Sequence, residues 1–202
     1  MEKAMYLPDD MIEACGKIFA AEYDVPYFNP APVILDIGAN VGCFTRWAKY
    51  RWPESIIYAY EPLPDCIEYL VKNTEDTKGV FITQCAIGAR SETRKMYHGG
   101  ENRGMSSFNQ SEYTRSTSID VSVKPAFQLP NADIVKCDTE GAEIEILSGL
   151  SFKPDVILVE YHSQANMDTL LKMYKAEYTL YEYKLMTLSA GNLKFIKSDI
   201  LS

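Results

Sequence analysis

Apolar residues recur at helical spacing at Met11, Cys15, Ile18 and Phe19, behind Asp9 and Asp10, either of which can cap a helix. Pro26, Pro30 and Pro32 follow and predict an irregular, extended connection. From Val33 the period changes. Val33 to Ile37 is the short apolar run of a buried strand, and Gly38 to Gly42 predict a turn. Val41, Phe44 and Ala48 lie along one face of a helix that must stop near Pro53. Ser55 to Tyr60 is a second strand. Pro64 can open a second helix with Ile67, Leu70 and Val71 facing inward, and Val80 to Gln84 is a third strand.

Strands alternating with helices predict right-handed crossovers and a parallel sheet covered on both faces. The rhythm pauses between Gly88 and Asn131. Glu92 to Tyr97 and Ser118 to Val123 read as extended, and the polar, Gly/Ser-rich stretch from Gly99 to Ser118 reads as a long loop. A loop of that length suits the pocket of a second substrate, with Asn102, Arg103, Ser106 and Ser107 as contacts. The rhythm then resumes. Asp133 to Cys137 and Pro154 to Glu160 are strands, with a short helix over 141–148 between them. Met167, Leu170, Leu171 and Tyr174 mark a last helix. The tail from Tyr178 to Ile196 predicts an antiparallel hairpin around Ser189 to Asn192. With no repeat and no linker, one domain over 1–202 is expected.

Composition narrows the function. The net charge is −8, without a tight Lys/Arg run, which speaks against nucleic acid as a partner. The five cysteines are odd in number, scattered and without a C-x-x-C pair, so neither a disulfide framework nor a zinc site is expected. The first residues do not resemble a signal peptide, and no apolar run approaches a membrane span. A cytoplasmic protein with no membrane partner is the expectation.

Open parallel sheets bind ligands at the carboxyl ends of their strands, where the strand order reverses. The turn there offers Gly38-x-Asn40-x-Gly42, where a dinucleotide fingerprint would need a middle glycine, and Cys43 stands in place of the third. Asp36 puts a negative charge before the turn, which suits an ammonium better than a pyrophosphate. Glu61, nineteen residues after Gly42, can accept hydrogen bonds from two ribose hydroxyls. An amino-acid tail plus a ribose describes S-adenosylmethionine (SAM). The competing readings are a ligand-free turn, a nicotinamide-dependent oxidoreductase and a non-catalytic SAM-binding partner subunit.

Four segments resemble the FkbM family of SAM-dependent methyltransferases: Val33 to Ala48, Tyr58 to Pro62, Cys85 to Gly88, and Ile134 to Glu143. The Lys136-x-Asp138-x-Glu140-Gly141-Ala142-Glu143 run is the most specific part. Gly104 to Ser107 and Glu22 to Asp24 are similar as well. Cys137 and Thr139 stand where aliphatic residues are commoner. The resemblance implies an α/β, Rossmann-like class I methyltransferase fold. Its sheet would be mostly parallel and seven-stranded, with a C-terminal antiparallel hairpin and helices on both faces. It implies that Asp36, Gly38, Ala39, Asn40, Gly42, Glu61 and Pro62 hold the amino acid and ribose of SAM. Ala86 and Ile87 would border the adenine, and Tyr23, within residues 1–30, would cover the cofactor. O-methylation of a sugar or small natural product is the implied reaction.

Asp138 and Glu140 follow one central strand, and Glu160 and His162 end another, so all four reach the edge that carries the glycine turn. A hydroxyl acceptor needs a general base. His162 is the first choice, because imidazole titrates near neutral pH. Asp138 would orient acceptor or cofactor, and Glu140 or Glu160 would hold the imidazole tautomer. The same four residues could ligate a hard cation, but they equally suit substrate hydroxyls, and no metal is expected.

Overall fold

The computed structural model describes residues 4–99, 102–108 and 117–201, with the side chains of residues 21, 98, 99 and 102–105 left aside. Strands β1 (Val33–Ile37), β2 (Ile56–Tyr60), β3 (Val80–Thr83), β8 (Ile134–Cys137), β9 (Val156–Tyr161), β10 (Tyr178–Leu185) and β11 (Gly191–Lys197) form one seven-stranded sheet. Its order is β10-β11-β9-β8-β1-β2-β3. All neighbours run parallel except β11, which is antiparallel to both β9 and β10. The order reverses at β1, which pairs with β2 on one side and β8 on the other. The crevice above β1 is therefore open to a ligand.

The central strands β1, β8, β9 and β11 are buried on both faces. Ile34, Ile57 and Ile134 pack against Phe44, Trp47 and Trp52 of the α2 side (Cys43–Arg51), and Ala59 meets Leu70 of α3 (Pro64–Thr74). On the other face Leu35, Val135, Ile157 and Val159 meet Ile146 of α4 (Glu143–Ser148) and Leu170 of α5 (Gln164–Tyr174). The N-terminal helix is short: a 3-10 turn at Asp9–Met11, α1 at Ile12–Lys17 and a π turn at Ile18–Glu22.

Two expectations change. Val71 faces solvent, because α3 buries Cys66, Leu70, Asn73 and Thr74 instead, one helical stripe away. The two extended stretches in the pause belong to a second sheet, and residues 102–107 of the expected loop form a strand of it, while residues 100–101 and 109–116 lie outside the described residues. Strands β4 (Ala86–Gly88), β5 (Glu92–Gly99), β6 (Asn102–Ser107) and β7 (Thr117–Pro125) stand in the order β4-β7-β5-β6. The alternation of β7, buried at Val121 and Val123, is that of a sheet with one wet face. Among the described residues, no helix is long and apolar enough to cross a membrane.

Phe44 sits between Tyr23 and Trp47, with ring centroids 5.1 and 5.7 Å away. Phe44→Ala should cost about 3–5 kcal/mol. Urea denaturation would show this as a lower midpoint with an unchanged slope.

Candidate active site at the carboxyl edge of the sheet

The turn after β1 keeps its shape through backbone that only certain residues tolerate. Gly38 (φ +77°), Asn40 (φ +49°) and Gly42 (φ +88°) are all left-handed. A Cβ on Gly38 would overlap the carbonyl oxygen of Asp138, so this turn and the loop after β8 touch through backbone. A Cβ on Gly42 would lie 2.8 Å from Cδ1 of Leu70, so that glycine lets α3 close on the turn. The amides of Gly38 and Ala39 both donate to the carbonyl of Tyr60, each at 3.0 Å.

Glu61 completes this anchoring. Its Oε2 accepts from the Asn40 amide at 2.8 Å and its Oε1 from the Leu63 amide at 2.9 Å. Burial pushes its pKa up to about 7 against the pull of those two amides. A cavity of about 280 Å³ opens beside it. Gly38, Ala39, Asn40, Glu61, Pro62, Ala86, Ile87 and Asp138 line that cavity. Asp36 and Gly42 lie behind the wall. Asp36 is wholly buried; its Oδ2 accepts from Thr45 Oγ1 at 2.5 Å, and Lys136 Nζ stands 3.4 Å from its Oδ1.

Lys136 was not singled out from the sequence. Its Nζ donates to the carbonyl of Gly38 at 2.6 Å and lies 3.7 Å from Asp138 Oδ2. Burial works against its charge, but Asp36 and Asp138 raise its pKa on balance. The available signal was one cation inside the apolar run Ile134-Val135-Lys136-Cys137.

The four candidate catalytic residues do meet. His162 Nδ1 lies 3.0 Å from Oε1 of the buried Glu143. Its Nε2 lies 3.4 Å from Glu140 Oε2, 3.5 Å from Glu160 Oε1 and 4.0 Å from Asp138 Oδ1. Burial alone would lower the pKa of His162, but Glu140, Glu143 and Glu160 outweigh it and raise it. Burial raises the pKa of Glu140 and of Glu160, the latter with help from Asp138. Asp138, Glu140 and Glu160 line the cavity, whereas His162 stands behind them. Glu140 holds a left-handed backbone (φ +55°), and its carbonyl accepts from Ser107 Oγ at 2.7 Å. Ser107 thus braces the loop after β8 rather than facing the cavity, while Ser106 and Phe108 line it. The side chains of Asn102 and Arg103 lie outside the described residues.

The N-terminal segment supplies Met11, Ala14, Ile18, Glu22 and Tyr23 to the wall. This segment is tied to the C-terminal hairpin. Asn192 Nδ2 donates to Glu22 Oε1 at 3.3 Å, and Lys194 Nζ donates to the Asp24 carbonyl at 3.0 Å.

Residues 36–183 match the Methyltransferase FkbM domain. The chain belongs to the FkbM methyltransferase family. It is 30% identical over 156 residues to Methyltransferase 1 of Beauveria bassiana, covering 63% of this chain and 62% of that one. It is 24% identical over 158 residues to the hexuronic acid methyltransferase AglP of Haloferax volcanii, covering 70% and 60%. The chain thus spans about three fifths of the length of these curated relatives. The crystal structure of Methyltransferase FkbM from Methylobacillus flagellatus superposes with a TM-score of 0.63 at 14% identity, over 88% of this chain and 47% of that one. The architecture is the Rossmann-like class I methyltransferase fold, carried in this FkbM chain by the seven-stranded sheet.

Because Glu61 is more readily protonated folded than unfolded, the ligand-free chain should lose stability as pH rises from about 4.5 to about 7. Glu61→Gln should remove that decline. Denaturation midpoints for both chains across this pH window would show parallel declines if burial of the carboxyl were not the cause.

Proposed function

We propose that the chain transfers a methyl group from SAM to a hydroxyl oxygen of a sugar or small natural product. Glu61 carries this reading. Each of its carboxylate oxygens accepts one backbone amide and keeps lone-pair capacity toward the cavity, which fits a ribose diol. The backbone of Gly38 to Asn40 forms the adjoining wall, and Ala86 and Ile87 offer apolar flanks for an adenine. Asp138 is the carboxylate placed to meet the amino-acid tail. Asp36, buried beside Thr45 and Lys136, acts by holding the turn instead.

When bound, the cofactor supplies a methyl carbon already activated by a neutral thioether leaving group. The protein's residues then do three things. The cavity wall aligns the acceptor oxygen behind that carbon, an effect worth up to roughly 7–11 kcal/mol. The covering segment, with Tyr23 buried against Phe44, excludes water. A carboxylate takes the hydroxyl proton as the carbon–oxygen bond forms and the carbon–sulfur bond breaks. We assign that role to Glu160, which lines the cavity at the end of β9, and give His162 behind it the task of orienting the carboxylates.

Calorimetry with SAM, S-adenosylhomocysteine and NADH separates this reading from a nicotinamide site. Transfer of labelled methyl from SAM to sugar and natural-product acceptors separates it from a silent binding subunit. Glu61→Ala should weaken SAM binding at least tenfold, the loss of a charged hydrogen-bond partner being worth about 1.5–3 kcal/mol. Unchanged affinity would remove the assignment. Glu160→Gln should slow turnover about a hundredfold at nearly constant SAM affinity. A loss below about tenfold would take the base role from Glu160.

A further inference from the structure

The cluster around His162 has more chemistry than proton transfer alone requires. Asp138 Oδ, Glu140 Oε and His162 Nε2 offer donor atoms that all lie within 4.8 Å of one another. A first-row divalent ion sits about 2.1 Å from nitrogen or oxygen ligands, so donors on opposite sides of it stand about 4.2 Å apart. A side-chain adjustment of about half an ångström would close the set.

A second observation concerns the imidazole itself. Its Nε2 is shut off from solvent and faces three carboxylates, 3.4 Å from Glu140, 3.5 Å from Glu160 and 4.0 Å from Asp138. Its Nδ1 is fixed by Glu143, which is wholly buried. Glu143 is itself held by the Gly141 amide at 2.8 Å and by Asn166 Nδ2 at 3.2 Å. A carboxylate that pins one ring nitrogen and leaves the other aimed at further ligands is the outer support that metal-bound histidines use. The cluster also concentrates like charge. Four carboxylates, those of Asp138, Glu140, Glu143 and Glu160, surround a single imidazole.

We propose that Asp138, Glu140 and His162 bind one divalent transition-metal cation at the wall of the cavity, against the metal-free expectation from the sequence. The mixed donor set selects its class. Imidazole suits first-row transition ions, and carboxylates suit harder ones, so two carboxylates with one imidazole favour Mn²⁺ or a similar ion over Mg²⁺ or Ca²⁺. Asp138 and Glu140 both line the cavity, so the ion would face the acceptor and draw its hydroxyl in. This assignment rests on the proposed methyl transfer only for its use, not for its existence.

The test is binding of Mn²⁺ alone to the chelator-stripped chain, with free ion followed by electron paramagnetic resonance. One ion per chain is expected. Affinity should fall at least tenfold in His162→Ala and, separately, in Glu140→Gln, and Mg²⁺ should compete at least tenfold more weakly than Mn²⁺. S-adenosylhomocysteine binding, through the Glu61 side of the cavity, reports that each variant is folded. Absence of binding to the wild-type chain would overturn the proposal. So would equal binding by both folded variants, or equal competition by Mg²⁺. Failure of the chain to bind SAM would overturn the methyltransferase reading while leaving the Mn²⁺ titration readable, with circular dichroism then reporting that each variant is folded.

Discussion

Beneath the turn after β1, one ammonium is almost wholly buried. Lys136 reaches from the middle of the sheet to the carbonyl of Gly38 and lies between the carboxylates of Asp36 and Asp138. Taking a cation and a carboxylate out of water costs several kcal/mol each, and their attraction offsets this only with good geometry and further hydrogen bonds. Here the further bonds are supplied by Thr45 and by the Gly38 carbonyl. The turn after β1 and the loop after β8 are thus pinned to one charge, and their backbones come so close that only glycine fits at position 38. Removing either partner leaves the other buried and unpaired, which typically costs about 3–5 kcal/mol. The position of Glu61, which holds the Asn40 amide, depends on this pinning in turn.

The acidic ring around His162 is the second organising element, and the two share Asp138. That residue faces Lys136 through one oxygen and His162 through the other. Cofactor turn and acceptor wall are therefore electrostatically connected. The brace from Ser107 to the Glu140 carbonyl adds the second sheet to the same unit. A strained backbone at Glu140 persists where surrounding structure over-determines it, and such sites cluster where function is located.

Much of this was legible in the chain because its signals are local. β1 follows from the short run Val33 to Ile37, buried at four of its five positions, and α3 from a proline at its first turn. Glycines and an acidic residue at fixed spacing marked the cavity edge. What escaped was non-local. Val71 was misplaced because its stripe on α3 is decided by which neighbours the helix meets. Of the second sheet only β6 reads as loop, because it is polar and glycine-containing and its pairing with β5 leaves little apolar pattern. Asp36 was expected at a ligand, but its partner Lys136 lies a hundred residues away in sequence. His162 was favoured as base for its residue type. Its surroundings come from the segment after β8, which carries Asp138, Glu140 and Glu143, and from Glu160 at the end of β9, partners that residue type alone does not reveal.

The ties between the two ends of the chain have a consequence for how the protein is made. Glu22 and Asp24, near the start, are fastened by Asn192 and Lys194, near the finish. On a ribosome each of these residues waits for 170 further residues before its partner emerges. The central strands can pair earlier, from shorter separations, but the cover over the crevice cannot be fastened until the last strand is in place. A nascent chain that has not reached β11 would carry paired central strands and an unfastened roof, so closure of the cavity comes late in folding.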